Sequence, residues 1–266
     1  MKQLTAEQIQ ENWNKLIQLI KDTFPEDYPD NRREKLLKMY HHFEDRMTVA
    51  PASGKEHYHN AHVGGYVEHV LHVTDLAVQI KEMWELNKAT INFTDEELIF
   101  AAIHHDLGKV GDLDKDYYVP QDSEWHRKNR GEIFTHNGEL SYMTVTDRAI
   151  FLLGHFQIPM SENEYIGLRL TDGLYEEANK NYYISWNPDW GLKSNIAYIL
   201  HQADSMATHI ESDMWKRGED AEQKEEKVHL DNIRTAAKVE TPVKTEDGDM
   251  KQRSQDLFDE LFGGKK

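Results

Sequence analysis

The chain has 266 residues, a formal net charge of -17 and no cysteine. The lack of cysteine excludes disulfides, thiolate zinc sites and thiol nucleophiles, so any metal must be bound through His, Asp or Glu. The negative charge disfavours a protein that coats nucleic acid, although bound metal ions can reverse the local sign at a phosphate site.

The first 50 residues predict two amphipathic helices. Thr5 is suited to cap the first, and Asp30 is the expected cap of the second. Apolar residues recur at helical spacing in both, at Ile9, Trp13, Leu16, Ile17 and Ile20, and at Leu36, Leu37, Tyr40, Phe43 and Met47. We expect residues 1–50 to form a helical extension that packs on the core of the protein.

The central part of the chain predicts further helices and no sheet. A long helix is expected from about Gly65 to Leu86, after a loop that contains Pro51, Ser53 and Gly54. Thr94 and Glu97 form a capping-box pattern at the start of the next helix, which is expected to end near Gly108.

Two later helices complete the predicted core. They are expected from about Glu139 to Leu153 and from about Ser194 to Trp215, whereas Gly111–Thr135 is polar and loop-like. No segment alternates with period two over several strands, so the fold class is predicted to be all-α.

The composition changes after Trp215. Residues 216 to about 254 are rich in charged and amide side chains with few large apolar groups, which predicts a flexible charged tail. We therefore expect three parts, 1–50, 51–215 and 216–266. The chain has no run of roughly 20 apolar residues and no secretory pattern, so we expect a soluble, cytoplasmic protein that does not span a membrane.

The tail ends in an apolar cluster of Leu257, Phe258, Leu261 and Phe262. The segment Gln255–Phe258, which overlaps this cluster, resembles the short peptides that tether replication and repair enzymes to a sliding clamp. A flexible tether with an apolar end suits docking into a groove on a partner protein. The alternative is a terminal helix that folds back on its own domain.

The strongest chemical signal is the segment Ala-Ala-Ile-His-His-Asp-Leu-Gly-Lys at 101–109. On a helix, His105 and Asp106 lie roughly 100° apart, so both can converge on metal ions in a groove beside it. Lys109 falls one turn beyond His105 on the same face. Burying a carboxylate without a partner costs several kcal/mol, and a metal is a common remedy. Taken alone, the doublet His105–Asp106 could also be a capped helix end with a surface His.

Two other segments carry candidate ligands. Upstream, His57, His59, His62 and His69 flank the pair Gly64-Gly65, and His69 lies about one turn into the predicted helix. Downstream, Asp204 interrupts an otherwise small and apolar helical face. His69, the pair His105–Asp106 and Asp204 each lie on a different predicted helix.

The series His69, His105–Asp106, Asp204 resembles the HD-domain metal-dependent phosphohydrolases in order and approximate spacing. The closest likeness is to the HD domain of bacterial 3′→5′ exoribonucleases, carried by the His-rich segment with its Gly pair before His69 and by His-Asp-Leu-Gly-Lys. The likeness covers roughly residues 50 to 215. It implies an HD-domain helical bundle.

The resemblance also implies a metal centre and a reaction. Two divalent ions (Mn, Fe, Ni, Co, Mg or Zn) would be bridged by Asp106, with His136 and His155 as the ligands of the second ion. This chain has His155-Phe156-Gln157 where relatives have His-His-Gly. A metal-activated hydroxide would then cleave a phosphate ester or phosphodiester of a nucleotide or short single-stranded nucleic acid. Asp106 and Lys109 are the expected catalytic residues.

Expected substrate-binding residues are His62, Lys109, Arg127, Lys128 and Arg130. The last three belong to the only basic concentration near the metal motif, and a basic loop beside metal ions can clamp phosphates. The alternative for these side chains is an ordinary polar loop, and for His62 a segment that is merely rich in His.

Two other functions fit the same residues. HD-domain proteins with six such ligands can bind two irons and oxidise a small molecule with O₂, and ligand identity alone does not separate the two chemistries. A third interpretation is a non-catalytic module that recruits a partner protein through its tail. Lys109 and the Gly64-Gly65 segment favour hydrolysis.

Overall fold

Helices dominate the fold in the computed structural model, which describes residues 4–217 and confirms the all-α class. The helices are α1 (Ala6–Thr23), α2 (Arg32–Met47), α3 (Gly65–Leu86), α4 (Asp95–His104), α5 (Glu124–Arg130), α6 (Val145–His155), α7 (Glu162–Arg169), α8 (Lys180–Tyr183) and α9 (Ile196–Arg217). Two three-residue strands, β1 (Tyr118–Pro120) and β2 (Phe134–His136), pair in antiparallel fashion and are called the ribbon below.

Local capping explains where several helices begin. Thr5 and Thr94 cap α1 and α4, each in a capping box with the residue three positions later, as the sequence predicts. The prediction for α2 was wrong by one residue, because Asn31 and not Asp30 is its N-cap. Asp30 instead lies in a 3-10 turn with a left-handed φ of 63°, a conformation that Asp tolerates better than most residues.

The core is built around α3, which packs against α9 and α4. Side chains of α1 and α2 belong to the same apolar cluster as those of α3, α4 and α9, with Trp13, Leu16, Leu36, Tyr40, Phe43, Val70, Leu98, Ile103 and Leu200 among its buried members. Within residues 4–217, no helix combines the length and the apolar character needed to cross a bilayer.

The segment between α4 and α7 departs most from the sequence prediction. The stretch expected to be a loop contains β1, α5 and two of the three residues of β2. The helix expected from Glu139 begins only at Val145, where Thr144 provides the cap. Helix α7, which was not predicted, is only eight residues long and starts at a capping box formed by Ser161 and Glu164.

Helix α4 ends earlier than predicted, at His104, and a 3-10 turn follows over Leu107–Val110. The start of α6 packs closely on this turn. A Cβ at Gly108 would lie 2.0 Å from the carbonyl oxygen of Val145, a distance that real Cβ atoms do not adopt. The glycine of the His-Asp-Leu-Gly-Lys motif is therefore needed for close backbone approach.

We expect Gly108→Ala to lower the free energy of unfolding by about 2 kcal/mol or more, because backbone atoms must move to admit the methyl group. Urea unfolding of the purified variant measures this. The matched control is Gly154→Ala, since a Cβ there meets nothing within 4 Å and Gly154 lies inside α6. That substitution should leave stability unchanged or raise it, because Ala favours helix more than Gly does. Equal stability of the two variants would contradict the packing argument.

Candidate metal centre

His69 lies near the start of α3, in a position that the preceding glycines determine. Gly64 adopts a left-handed φ of 82°, and a Cβ at Gly65 would come within 2.1 Å of the carbonyl oxygen of Asn60. The ring of His69 is fully buried. Its Nε2 atom lies 3.3 Å from Asp204 Oδ1 and 3.7 Å from Asp106 Oδ2.

His105 and Asp106 follow α4 rather than lying within it. Nδ1 of His105 donates a hydrogen bond to the carbonyl oxygen of Ala102 at 2.7 Å. Because a carbonyl oxygen only accepts, Nδ1 carries a proton, and Nε2 is the ring nitrogen that faces the carboxylates. That Nε2 lies 3.5 Å from Asp106 Oδ2 and 3.8 Å from Asp204 Oδ1.

His104, which directly precedes His105 and Asp106, is a core residue. The Nδ1 atom of His104 donates to the carbonyl oxygen of Phe100, and the two rings are 4.4 Å apart. Burial lowers the pKa of His104 to about 3, so its ring is neutral. The predicted helical geometry of the doublet was wrong, and the convergence of His105 and Asp106 comes from the turn at the end of the helix.

These side chains fit a divalent cation. One donor atom from each of His69, His105 and Asp106 lies within 4.8 Å of the others, and Asp204 adds a carboxylate oxygen beside both rings. The Nε2 atoms of both histidines are buried and have no hydrogen-bond partner within the described part of the chain. Two such nitrogens facing two carboxylates form a mixed N/O donor set that suits Mn, Fe, Co, Ni or Zn.

Electrostatics at this cluster favour a cation. Burial lowers the pKa of His69, but the carboxylates of Glu211, Asp204 and Asp106 outweigh burial and raise that pKa to about 10. Burial raises the pKa of Asp106, yet the charges of Lys109, His105 and His69 hold it below its usual range. The ring of His69 therefore attracts a proton in the absence of a metal, and a divalent ion would take the place of that proton.

Lys109 contacts the cluster directly. Its Nζ atom donates a hydrogen bond to Asp106 Oδ2 at 2.5 Å. Burial lowers the pKa of the ammonium group, but the charge of Asp106 more than compensates and raises the pKa above its usual value. Lys109 is therefore a permanent cation beside the predicted ligands.

Glu211 is a functional candidate that the sequence interpretation missed. It accepts hydrogen bonds from Nδ1 of His69 at 3.0 Å and from Nδ1 of His72 at 2.8 Å. Burial raises the pKa of Glu211, but the two imidazoles outweigh burial and hold the pKa well below its usual range. A carboxylate on Nδ1 fixes the ring so that Nε2 faces Asp106 and Asp204. The sequence contained a signal for this role, because Glu211 lies two helical turns after Asp204 beside the apolar stripe of α9.

We expect Glu211→Ala to weaken the binding of Mn²⁺ by about 10- to 100-fold, because His69 loses the group that orients it. Calorimetric titration of the full-length protein measures the dissociation constant. Glu211→Gln should lose less affinity, since the amide oxygen can still accept from one imidazole. Asp213→Ala is the matched control on the same helix, because Asp213 is exposed and pairs with Lys216. Unchanged affinity in Glu211→Ala would rule out the orienting role.

The structure does not place His136 or His155 in this cluster. Among the described residues, His69, His105 and Asp106 alone form a group of three or more with the required spacing. His136 is exposed on β2, with its ring 4.9 Å from Tyr117 and 5.5 Å from Tyr118. His155 is exposed at the end of α6, with its ring 5.2 Å from Phe156. Their roles as ligands stay predictions.

Of the predicted substrate-binding residues, Lys109 alone contacts the cluster. His62 is buried, with its Nε2 atom 3.3 Å from Glu68 Oε2. The three basic residues of α5 are exposed and have local partners: Arg127 binds the carbonyl oxygen of Gln121, Lys128 pairs with Glu124, and Arg130 lies over the ring of Trp125. The clamp-like segment Gln255–Phe258 and the charged tail lie outside the described residues.

A cavity of about 400 Å³ lies next to the cluster, and both Lys109 and His136 line it. The ring of His59, which also lines this cavity, is 4.8 Å from the ring of His69. A larger cavity of about 750 Å³ lies between α7, α8 and residues 190–194, and none of the candidate ligands lines it. The cavity of about 400 Å³ therefore adjoins the cluster through Lys109 and His59, whereas the larger one does not.

One comparison with known proteins gave a match. Residues 66–178 match the family model of the HD domain, a stretch that contains His69, His105, Asp106, His136 and His155 but ends before Asp204. Among curated proteins and among solved structures, no significant match was found.

Proposed function

Starting from the HD domain at residues 66–178 and the ligand cluster within reach of it, we propose that this protein is a metal-dependent phosphohydrolase. HD domains bind divalent metals and support hydrolase-type activity in general. The observation that carries the proposal is a pair of buried Nε2 atoms, of His69 and His105, which face two carboxylates and have no hydrogen-bond partner in residues 4–217.

The contacts suggest a separate role for each residue of the cluster. His69, His105, Asp106 and Asp204 would hold the ion, and such an ion polarises a phosphoryl oxygen and lowers the pKa of water. The ammonium group of Lys109, at the edge of the neighbouring cavity, is placed to bind a non-bridging phosphate oxygen. Glu211 keeps His69 in the orientation that binding requires.

The substrate and the number of metal ions are two further points of the proposed function. We propose a nucleotide or a short single-stranded nucleic acid as substrate, supported by the motif likeness to the HD domain of bacterial 3′→5′ exoribonucleases. A second ion, with His136 and His155 among its ligands, belongs to the same proposal. It would require both exposed side chains to turn towards Asp106.

The test is hydrolysis by the full-length protein loaded with Mn²⁺, Co²⁺ or Ni²⁺. Nucleotides, cyclic nucleotides and oligonucleotides are offered separately, and released phosphate or nucleoside monophosphate is measured. Activity should disappear with EDTA and return with metal, and elemental analysis gives the number of ions bound. A metal-loaded protein that is inert across the whole panel would contradict the proposal.

The di-iron oxygenase is the second candidate, because the same His and carboxylate ligands serve iron. The position of Lys109 favours hydrolysis, since a fixed cation beside Asp106 suits an anionic substrate. Iron bound after aerobic purification, with a mixed-valent spectroscopic signal, would favour the oxygenase. A biological effect that survives Asp106→Ala would favour the non-catalytic module.

A further inference from the structure

The cavity beside the candidate ligands combines aromatic walls with a polar end. We propose that it binds the nucleobase and the phosphate of a single nucleotide unit, with the base stacked on the rings of the ribbon. This inference rests on the proposed function only for the position of the phosphate. The volume of about 400 Å³ lies within the range of small-molecule sites, roughly 300–1,000 Å³.

Aromatic side chains supply the walls. Tyr118 and His136 stand opposite each other in the register of the ribbon, with ring centroids 5.5 Å apart. Phe134 and Tyr58 line the same cavity, and Tyr58 is 48% exposed although it belongs to a folded segment. Flat rings at the mouth of a cavity are the groups on which nucleobases stack.

The lining also contains a buried polar side chain that has no hydrogen-bond partner among residues 4–217. Both ring nitrogens of His59 are buried and have no hydrogen-bond partner among the described residues, although the ring lines the cavity. A buried imidazole left without any partner is costly, so a ligand group is the natural acceptor for its N–H. His59 adjoins His69, which places this donor next to the predicted metal ligands.

Two lysines line the cavity. Lys109 is in contact with Asp106, and the ammonium group of Lys55 lies 5.3 Å from the centre of the Tyr58 ring. A purely apolar ligand would leave the ring nitrogens of His59 unsatisfied and would not use the charge of either lysine. A nucleotide, which joins a planar base to a phosphate through a sugar, offers a ring for the aromatic walls and an anion for the cationic groups.

The experiment compares ligands that differ only in the base. Calorimetry on the full-length protein in EDTA measures the affinity for AMP, for ribose 5-phosphate and for inorganic phosphate, so that turnover plays no part. We expect AMP to bind about 5- to 150-fold more tightly than ribose 5-phosphate, the range that stacking of one base gives. Tyr118→Leu should remove most of this difference.

Two further variants keep the test independent of folding. His136→Ala changes an exposed ring and should also reduce the preference for AMP, whereas Tyr175→Leu, at a residue 85% exposed away from the cavity lining, should preserve it. Thermal melting verifies that each variant is folded. Equal affinity for AMP and ribose 5-phosphate, no binding of either, or a preference unchanged in folded His136→Ala and Tyr118→Leu would overturn the inference.

The outcomes separate this inference from the proposed function. Base-dependent binding in a protein that hydrolyses nothing would uphold the cavity assignment and count against the phosphohydrolase. Metal-dependent hydrolysis that treats AMP and ribose 5-phosphate alike, together with base-independent binding, would do the reverse.

Discussion

Asp106→Ala should reduce metal-dependent hydrolysis by at least about 10³-fold, the largest effect on activity that we expect from a single substitution. The carboxylate lies 3.7 Å from Nε2 of His69, 3.5 Å from Nε2 of His105 and 2.5 Å from the ammonium group of Lys109. Its loss removes a predicted ligand and leaves the ammonium group of Lys109 without this partner. An ion that stabilises transition-state charge contributes several kcal/mol, and each 1.36 kcal/mol corresponds to a tenfold change in rate.

The measurement is kcat/KM together with the metal content of the purified variant. Asp114→Ala is the control, because Asp114 is exposed in the turn that follows the same motif. It should retain full activity and full metal content. An Asp106→Ala variant that is folded, loaded with metal and active would exclude the proposed centre.

Arg32→Met should lower the free energy of unfolding by about 3–5 kcal/mol, the largest stability effect that we expect. The guanidinium group of Arg32, on α2, pairs with the carboxylate of Glu164 on α7 and donates to the carbonyl oxygen of Pro159 at 2.9 Å. Both side chains are buried. Burial raises the pKa of Glu164, and the charge of Arg32 offsets this only in part, so the pair carries a desolvation cost.

A double variant tests this explanation. Glu164→Gln removes the buried charge but keeps an amide oxygen able to bind the backbone of Ser161, as the carboxylate does. Combined with Arg32→Met, it should be less destabilising than Arg32→Met alone, because no unpaired charge remains. Urea unfolding measures all three variants. Lys128→Ala, which breaks the exposed pair with Glu124, should change stability by no more than about 0.5 kcal/mol. A double variant as unstable as Arg32→Met would contradict the charge argument.

Sequence patterns predicted the helical core well because those patterns report local physics. The capping boxes at Thr5 and Thr94 and the bounds of α3 depend on neighbouring residues alone. The grouping of His69 with His105 and Asp106 came from a motif likeness, and the structure brings their donor atoms within 4.8 Å.

Other features depend on contacts that no local pattern reports. Glu211 reaches His69 because α9 packs on α3, and the turn that follows α4 is packed closely against α6 at Gly108. The ribbon has three-residue strands, which are too short to show a period of two. His136 is separated from the cluster by its place on that ribbon, and α7 is held by the pairing of Glu164 with a residue on α2.

Helix α9 delivers both Asp204 and Glu211 to a histidine far earlier in the chain, with 142 positions between His69 and Glu211. During synthesis, the imidazole therefore exists long before the carboxylates that complete its surroundings. Because a loop of that length must close before these carboxylates reach the ring, the full set of candidate ligands forms only once α9 has packed on α3. A nascent chain that ends before α9 would contain His69, His105 and Asp106 but neither Asp204 nor Glu211.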